Sequence, residues 1–204
     1  MAPTSTRNAA ASPASGQGRP GVRKGDDRRV ARTRRSIDLA FIDLLRQRGY
    51  DAVGVSDIVR AADVGRATFY EHYTSKDDLL RSQLRMVSTL VHTRAGDAVV
   101  VDATPLFAHV RDVPLLYRLV AGRSAAARTL RILQDVLEER AVDLVALHVN
   151  AGAALREPLE PAVAARVIVA SLCALLAWWV ERGMPESPAE LQRLLEACTG
   201  GLIG

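Results

Sequence analysis

The sequence predicts an all-α fold, with a small N-terminal helix-turn-helix unit followed by a larger helical one. Three observations carry that expectation. Apolar residues recur at three- and four-residue intervals through most of the chain. Aromatic residues are only 4% of the 204, while hydrophobic residues reach 49%. That balance suits helix packing better than sheets built from β-branched and aromatic side chains. Finally, no strand-like alternation and no glycine-rich phosphate loop stands out anywhere.

Residues 1–27 are rich in Ala, Ser, Pro, Gly and Arg and lack apolar periodicity, so they read as a disordered basic tail. A helix is expected over Asp27–Arg48, with Ile37, Ala40, Phe41, Leu44 and Leu45 on its apolar face and Gly49 ending it. Gly54-Val-Ser-Asp57 opens a second helix, with Ile58, Val59 and Ala62 inward and Asp57 near the positive end of the helix dipole. Asp63, Val64 and Gly65 leave room only for a tight turn, and Asp63 can take the left-handed conformation that ends a helix. A short helix follows over Arg66–His72. Ser75-Lys-Asp-Asp78 resembles a capping box that starts a fourth helix, with Leu79, Leu80, Leu84, Val87, Leu90 and Val91 inward.

A break rich in Gly, Asp and Pro spans Gly96–Pro105. Further helices are expected over Pro105–Arg111, Val113–Ala121, Ser124–Gly152, Pro161–Gly183 and Ser187–Thr199. The domain boundaries follow: 1–27 the tail, 28–80 the helix-turn-helix unit, 81–204 a C-terminal effector-binding and dimerisation unit.

Charge is concentrated at one end. Residues 1–35 hold nine basic and two acidic side chains, a balance of +7, whereas the whole chain is +4 and the other 169 residues therefore stand at −3. Such an end suits a polyanion: DNA, RNA or an anionic membrane surface. The two helices Gly54–Ala62 and Arg66–His72, joined by three residues, choose among these, because they form a helix-turn-helix. The second helix of that motif enters the major groove with its N-terminal residues toward base edges. Arg66 offers a bidentate match to guanine, and Thr68 a hydroxyl and a methyl. Tyr70, His72, Tyr73 and Lys76 are donors suited to phosphates. The free backbone amides at Ser75–Lys76 suit an anion.

The run from Ile58 to Leu79 resembles the signature of the TetR family of transcriptional regulators. Its most specific part is Thr68-Phe-Tyr70, followed by His72-Tyr73 and by Ser75-Lys76 before an acidic-Leu pair. Phe41 and the exit Gly49-Tyr50-Asp51 match the family's first helix, and the likeness covers about residues 30–85. The resemblance implies DNA contacts from Ser56, Gly65, Arg66, Ala67, Thr68, Tyr70, His72, Tyr73 and Lys76. Within that set Gly65 would cap the recognition helix, while Phe41, Ile58, Val64 and Phe69 would be core. It also implies a cytoplasmic homodimer on a palindromic operator, released by an unknown small-molecule effector. Pro161–Gly183 and Ser187–Thr199 are the candidates for the dimer bundle. Phe107, His109, Tyr117, His148 and Trp178, with Trp179, are the aromatic or polar-tipped residues able to line an effector pocket. Two positions depart from the family pattern: Gly54 stands where Thr is usual, and Asp63 where Gly is usual.

No nucleophile turn, metal-ligand spacing or cofactor loop is present, so neither catalysis, metal nor cofactor is expected. Cys173 and Cys198, set far apart in apolar sequence, read as buried small hydrophobes. The longest apolar run, Val167–Val180, is short for a bilayer span, so no membrane partner is expected. The competing reading is a small-molecule-binding or protein-interaction module with weak DNA contacts, supported by Gly54.

Overall fold

Helix α1 (Lys24–Arg48) runs to Gly49, whose backbone turns left-handed at φ 77°. The Gly49 amide closes the last turn on the Leu45 carbonyl at 2.9 Å. α2 (Val55–Ala61) and α3 (Arg66–His72) are one short helix each. Asp63 between them takes φ 53°, the left-handed geometry expected from the sequence. α4 (Lys76–Ser88) begins at Ser75, whose hydroxyl accepts the Asp78 amide at 3.1 Å. The reciprocal bond differs from a capping box by one residue, because Asp78 accepts the Thr74 amide at 2.9 Å. Leu90 and Val91 lie past the end of α4 but still pack on the core.

The computed structural model describes residues 24–94, 100–114, 126–150 and 160–200. Among them are eight helices and one short hairpin. The hairpin, β1 (His92–Arg94) and β2 (Val100–Asp102), corrects the expectation of no strands. It is antiparallel, with His92 opposite Asp102 and Arg94 opposite Val100. Three-residue strands are too short to leave an alternation in the sequence. α5 (Thr104–Asp112) follows, with Pro105 tolerated in its first turn. The expected helix over Val113–Ala121 lies almost wholly outside the described residues.

The remaining helices are α6 (Ala126–Asn150), α7 (Pro161–Glu181) and α8 (Pro188–Thr199). α7 packs on both α6 and α8, and α6 on α4. α8 opens with a capping box: the Ser187 hydroxyl accepts the Glu190 amide at 3.3 Å, and the Glu190 carboxylate accepts the Ser187 amide at 2.7 Å. At 21 residues α7 is longer than the apolar run within it, and by length and composition alone it could cross a membrane. Here it serves as a core helix, burying Ile168, Leu172, Leu176 and Trp179 against its neighbours. Cys173 is buried, its thiol pushed up to about 12 by burial, whereas Cys198 is exposed, which corrects the reading of both as buried.

One continuous apolar core joins α1–α4 to the later helices. Inside it, buried Gln192 of α8 donates to the Val101 carbonyl at 2.8 Å and accepts the Ala103 amide at 2.9 Å. A buried amide so placed satisfies two backbone groups at the end of β2 that water does not reach. Gln192→Leu would orphan both. The expected cost is about 2–4 kcal/mol, read as a lower denaturation midpoint with an unchanged m-value; wild-type stability would show that the two groups find other partners.

Candidate nucleic-acid interface

A seven-residue helix has almost no stability of its own in water, so α3 is held by what it packs on. Phe69 is fully buried, and Tyr73, its C-cap, is 3% exposed. The Tyr73 hydroxyl donates to Asp38 at 2.6 Å and accepts from Arg34 Nε at 3.0 Å. Burial pushes its ionisation up, with the bond to Asp38 adding. The turn before α3 is pinned from the other side, where the Ser36 hydroxyl donates to the Ala62 carbonyl at 3.0 Å. Gly65 is the N-cap, in extended backbone, as the resemblance implied.

These restraints leave one face of α3 outward. Arg66, Ala67 and Tyr70 are exposed and Thr68 is half-buried. The Arg66 guanidinium lies 5.9 Å from the centre of the Tyr70 ring, one helical turn on. A groove of about 330 Å³ separates α3 from the N-terminal half of α1. Arg29, Val30 and Thr33 form one wall, and Gly65, Thr68, Glu71 and His72 the other, with Asp63 and Val64 at its end. Ser56 is exposed on α2. Phe41, Ile58 and Phe69 are fully buried and Val64 partly so, which matches the core set implied by the resemblance.

Two expected phosphate donors sit elsewhere. Tyr73 is in the core with its hydroxyl engaged as above, so it is absent from the outward face. Lys76 turns inward: its Nζ donates to the Tyr50 and Val53 carbonyls, both at 2.8 Å, and lies 4.0 Å from the centre of the Tyr50 ring. Burial lowers the Lys76 pKa. The neighbouring Asp77 carboxylate accepts the Tyr50 hydroxyl on one oxygen and Arg128 Nε, at 2.9 Å, on the other. The start of α4 therefore clasps the loop between α1 and α2. Spacing alone does not separate a phosphate-binding lysine from one that folds back onto carbonyls 23 and 26 residues earlier.

At the N-terminus of α2, where Gly54 has no cap side chain, Asp57 supplies the reciprocal half of a capping box. Its carboxylate accepts the Gly54 amide at 3.0 Å and pairs with Arg60 at 2.6 Å and Arg48 at 3.6 Å. The amide bond first, and the arginines after it, hold Asp57 below the usual carboxylate range.

Among the described residues, the candidate effector residues Phe107, Trp178 and Trp179 do not share one chamber. Phe107 and Trp179 pack edge-to-face in the core, 6.1 Å apart. Trp178 is outward, 39% exposed, with the Arg182 guanidinium 5.0 Å from its ring. His109 is half-buried on α5. Tyr117 and the side chain of His148 lie outside the described residues.

Two outcomes test these roles. Lys76→Met should lower stability by about 1–3 kcal/mol, the range for a charge-assisted bond, and leave the salt slope of DNA binding unchanged. A slope reduced by about 1 would return Lys76 to the phosphate contacts. For Asp57, a depressed folded pKa gives stability that is present above about pH 4 and lost as pH falls through the folded value. Asp57→Asn should therefore be less stable at pH 7, with the gap to wild type closing in acid; a gap independent of pH would remove the charge from the account.

Residues 40–82 match the family model for bacterial regulatory proteins of the tetR family. Two Bacillus subtilis HTH-type transcriptional regulators are similar to this chain. YxbF is 40% identical over 74 residues, which are 34% of this chain and 20% of YxbF, and YwcC is 51% identical over 41 residues, 20% of this chain and 18% of YwcC. The matched stretch thus spans about a fifth of the length of these relatives. Among solved structures, the dihydroxyacetone kinase operon activator DhaS shares the fold at TM-score 0.55 and 19% identity, over 84% of this chain and 98% of DhaS. A TetR transcriptional regulator from Streptococcus agalactiae does so at 0.53 and 19%, over 87% and 98%. The tetR-family signature on α2–α4 thus sits within a helical fold shared with solved transcriptional regulators.

Proposed function

We propose that this chain represses transcription by binding a palindromic operator as a homodimer, and that a small-molecule effector releases it. The observation that carries the reading is the outward face of α3, where Arg66, Ala67 and Tyr70 are exposed and Thr68 half-buried beside them, on a helix clamped at both ends. Arg66 reads a guanine; Thr68 contacts a neighbouring base; Tyr70, His72 and Ser56 steady the backbone. Two copies with recognition helices about 34–36 Å apart, or a multiple of that, reach both half-sites.

The homodimer is supported by an unpaired apolar stripe on α7. Val163, Val167, Ala170, Ala174 and Trp178 recur along its exposed side, and Leu194 of α8 is exposed as well. Small and apolar residues at such intervals suit packing against a partner helix. Effector release is supported by the way α4 is tied to α6. Arg81 pairs with Asp135 at 3.0 Å and Glu139 at 3.4 Å, and Arg85 reaches Glu139 at 3.4 Å. A shift of α6 would carry α4, and with it α3. An effector acting this way must prefer the DNA-incompetent arrangement, typically by about 1–3 kcal/mol.

Selection of bound sequences from a random duplex library at about 150 mM salt tests the proposal, since phosphate-only binding is weak there. An inverted repeat is expected; folded protein that recovers no consensus would overturn it. A promoter reporter carrying that repeat reads the sign of regulation, and a rise in expression with the protein present would make it an activator. Arg66→Ala should cost about 1–3 kcal/mol of specific binding and relax the preference at one guanine; wild-type discrimination by the folded variant would remove Arg66 as a reader.

A further inference from the structure

The reading helices are poor in positive charge. From Val55 to His72 there are two arginines, Arg60 and Arg66, against Asp57, Asp63 and Glu71. Arg60 is already paired with Asp57 at 2.6 Å. Asp63 and Glu71 line the groove beside α3. A duplex approaching α3 therefore meets a surface with no net attraction for it, although phosphate contacts supply most of the affinity of such complexes.

The missing charge is on α1. Residues 27–36 hold five arginines against Asp27. Arg34 is committed to Tyr73 and Ser82. Arg28, Arg32 and Arg35 are exposed and sit four and three residues apart, so they form one stripe along the helix. The position of its central member, Arg32, follows from its neighbours. Arg29 lines the groove opposite Gly65 and Thr68, and Ser36 bonds the Ala62 carbonyl at the turn. Arg32 lies three residues after Arg29 and four before Ser36, and hence on the flank of α1 beside the turn into α3.

We infer that the Arg28–Arg32–Arg35 stripe of α1 is the phosphate-binding element of this protein, holding the DNA backbone while α3 reads base edges. The inference rests on the DNA-binding function proposed above. Division of labour follows: the stripe sets affinity for any duplex, and α3 sets the preference among duplexes.

The test uses the full chain, the selected operator duplex and an unrelated duplex, titrated between 50 and 200 mM salt. Arg28→Gln, Arg32→Gln and Arg35→Gln are combined in one variant, and Lys replaces the same three arginines in another. Three lost phosphate contacts should reduce the slope of log affinity against log salt by about 2.7 for both duplexes. Over that salt range wild type would then lose about 40-fold more affinity than the Gln variant. The ratio between operator and unrelated duplex should hold, and the Lys variant should restore the slope. A wild-type slope in the folded Gln variant would overturn the inference while leaving the DNA-binding function standing. A slope that falls equally in the Lys variant would overturn it too, since charge would not be the cause. Wild-type protein that binds neither duplex would overturn the proposed function itself, and the inference with it.

Discussion

The architecture depends on fixing a helix too short to be stable alone. Seven residues close only a few backbone hydrogen bonds, and the nucleation cost exceeds that return in water. α3 exists because Phe69 and Tyr73 anchor it in the core and because Tyr73 ends it on a fixed hydroxyl between Asp38 and Arg34. Every side chain presented for recognition inherits its direction from those contacts. Alanine at position 73 would therefore misaim the outward face of α3 without removing any side chain from it.

The same economy extends through the start of α4. Lys76 and Asp77 are adjacent, yet one closes the loop after α1 on two carbonyls and the other joins that loop to Arg128 of α6. Further along α4, Arg81 and Arg85 add ion pairs to the same helix. These pairs are largely exposed, and singly each contributes little to stability. Their value is geometric: they link the orientation of α4 to that of α6 from both ends of the contact.

Much of this was legible in the sequence because it follows from local rules. Periodicity marked α1, α4, α7 and α8; turn chemistry marked Gly49, Asp63 and Gly65; Ser75 and Ser187 marked the starts of α4 and α8. The core identities of Phe41, Ile58 and Phe69 followed from the resemblance to a known family. What escaped depends on distant partners. Tyr73 and Lys76 have the chemistry of phosphate donors, and only the fold shows that their polar atoms are spent on Asp38, Arg34 and the carbonyls of Tyr50 and Val53. The hairpin left no pattern because three residues per strand make none. Gln192 is a polar residue of an amphipathic helix, and nothing local says that it faces inward.

Gln192 also bears on how the chain comes to be folded during synthesis. It bridges to Val101 and Ala103 across 91 and 89 residues, whereas the bonds that hold α1 to α3 and to α4 span fewer than 50. A ribosome delivers the N-terminal helices with all their mutual partners already in hand. The end of β2 must wait, its amide and carbonyl uncovered, until α8 emerges about 90 residues later. A segment made later thus seals a seam laid down about 90 residues earlier, and loss of α8 would expose that seam.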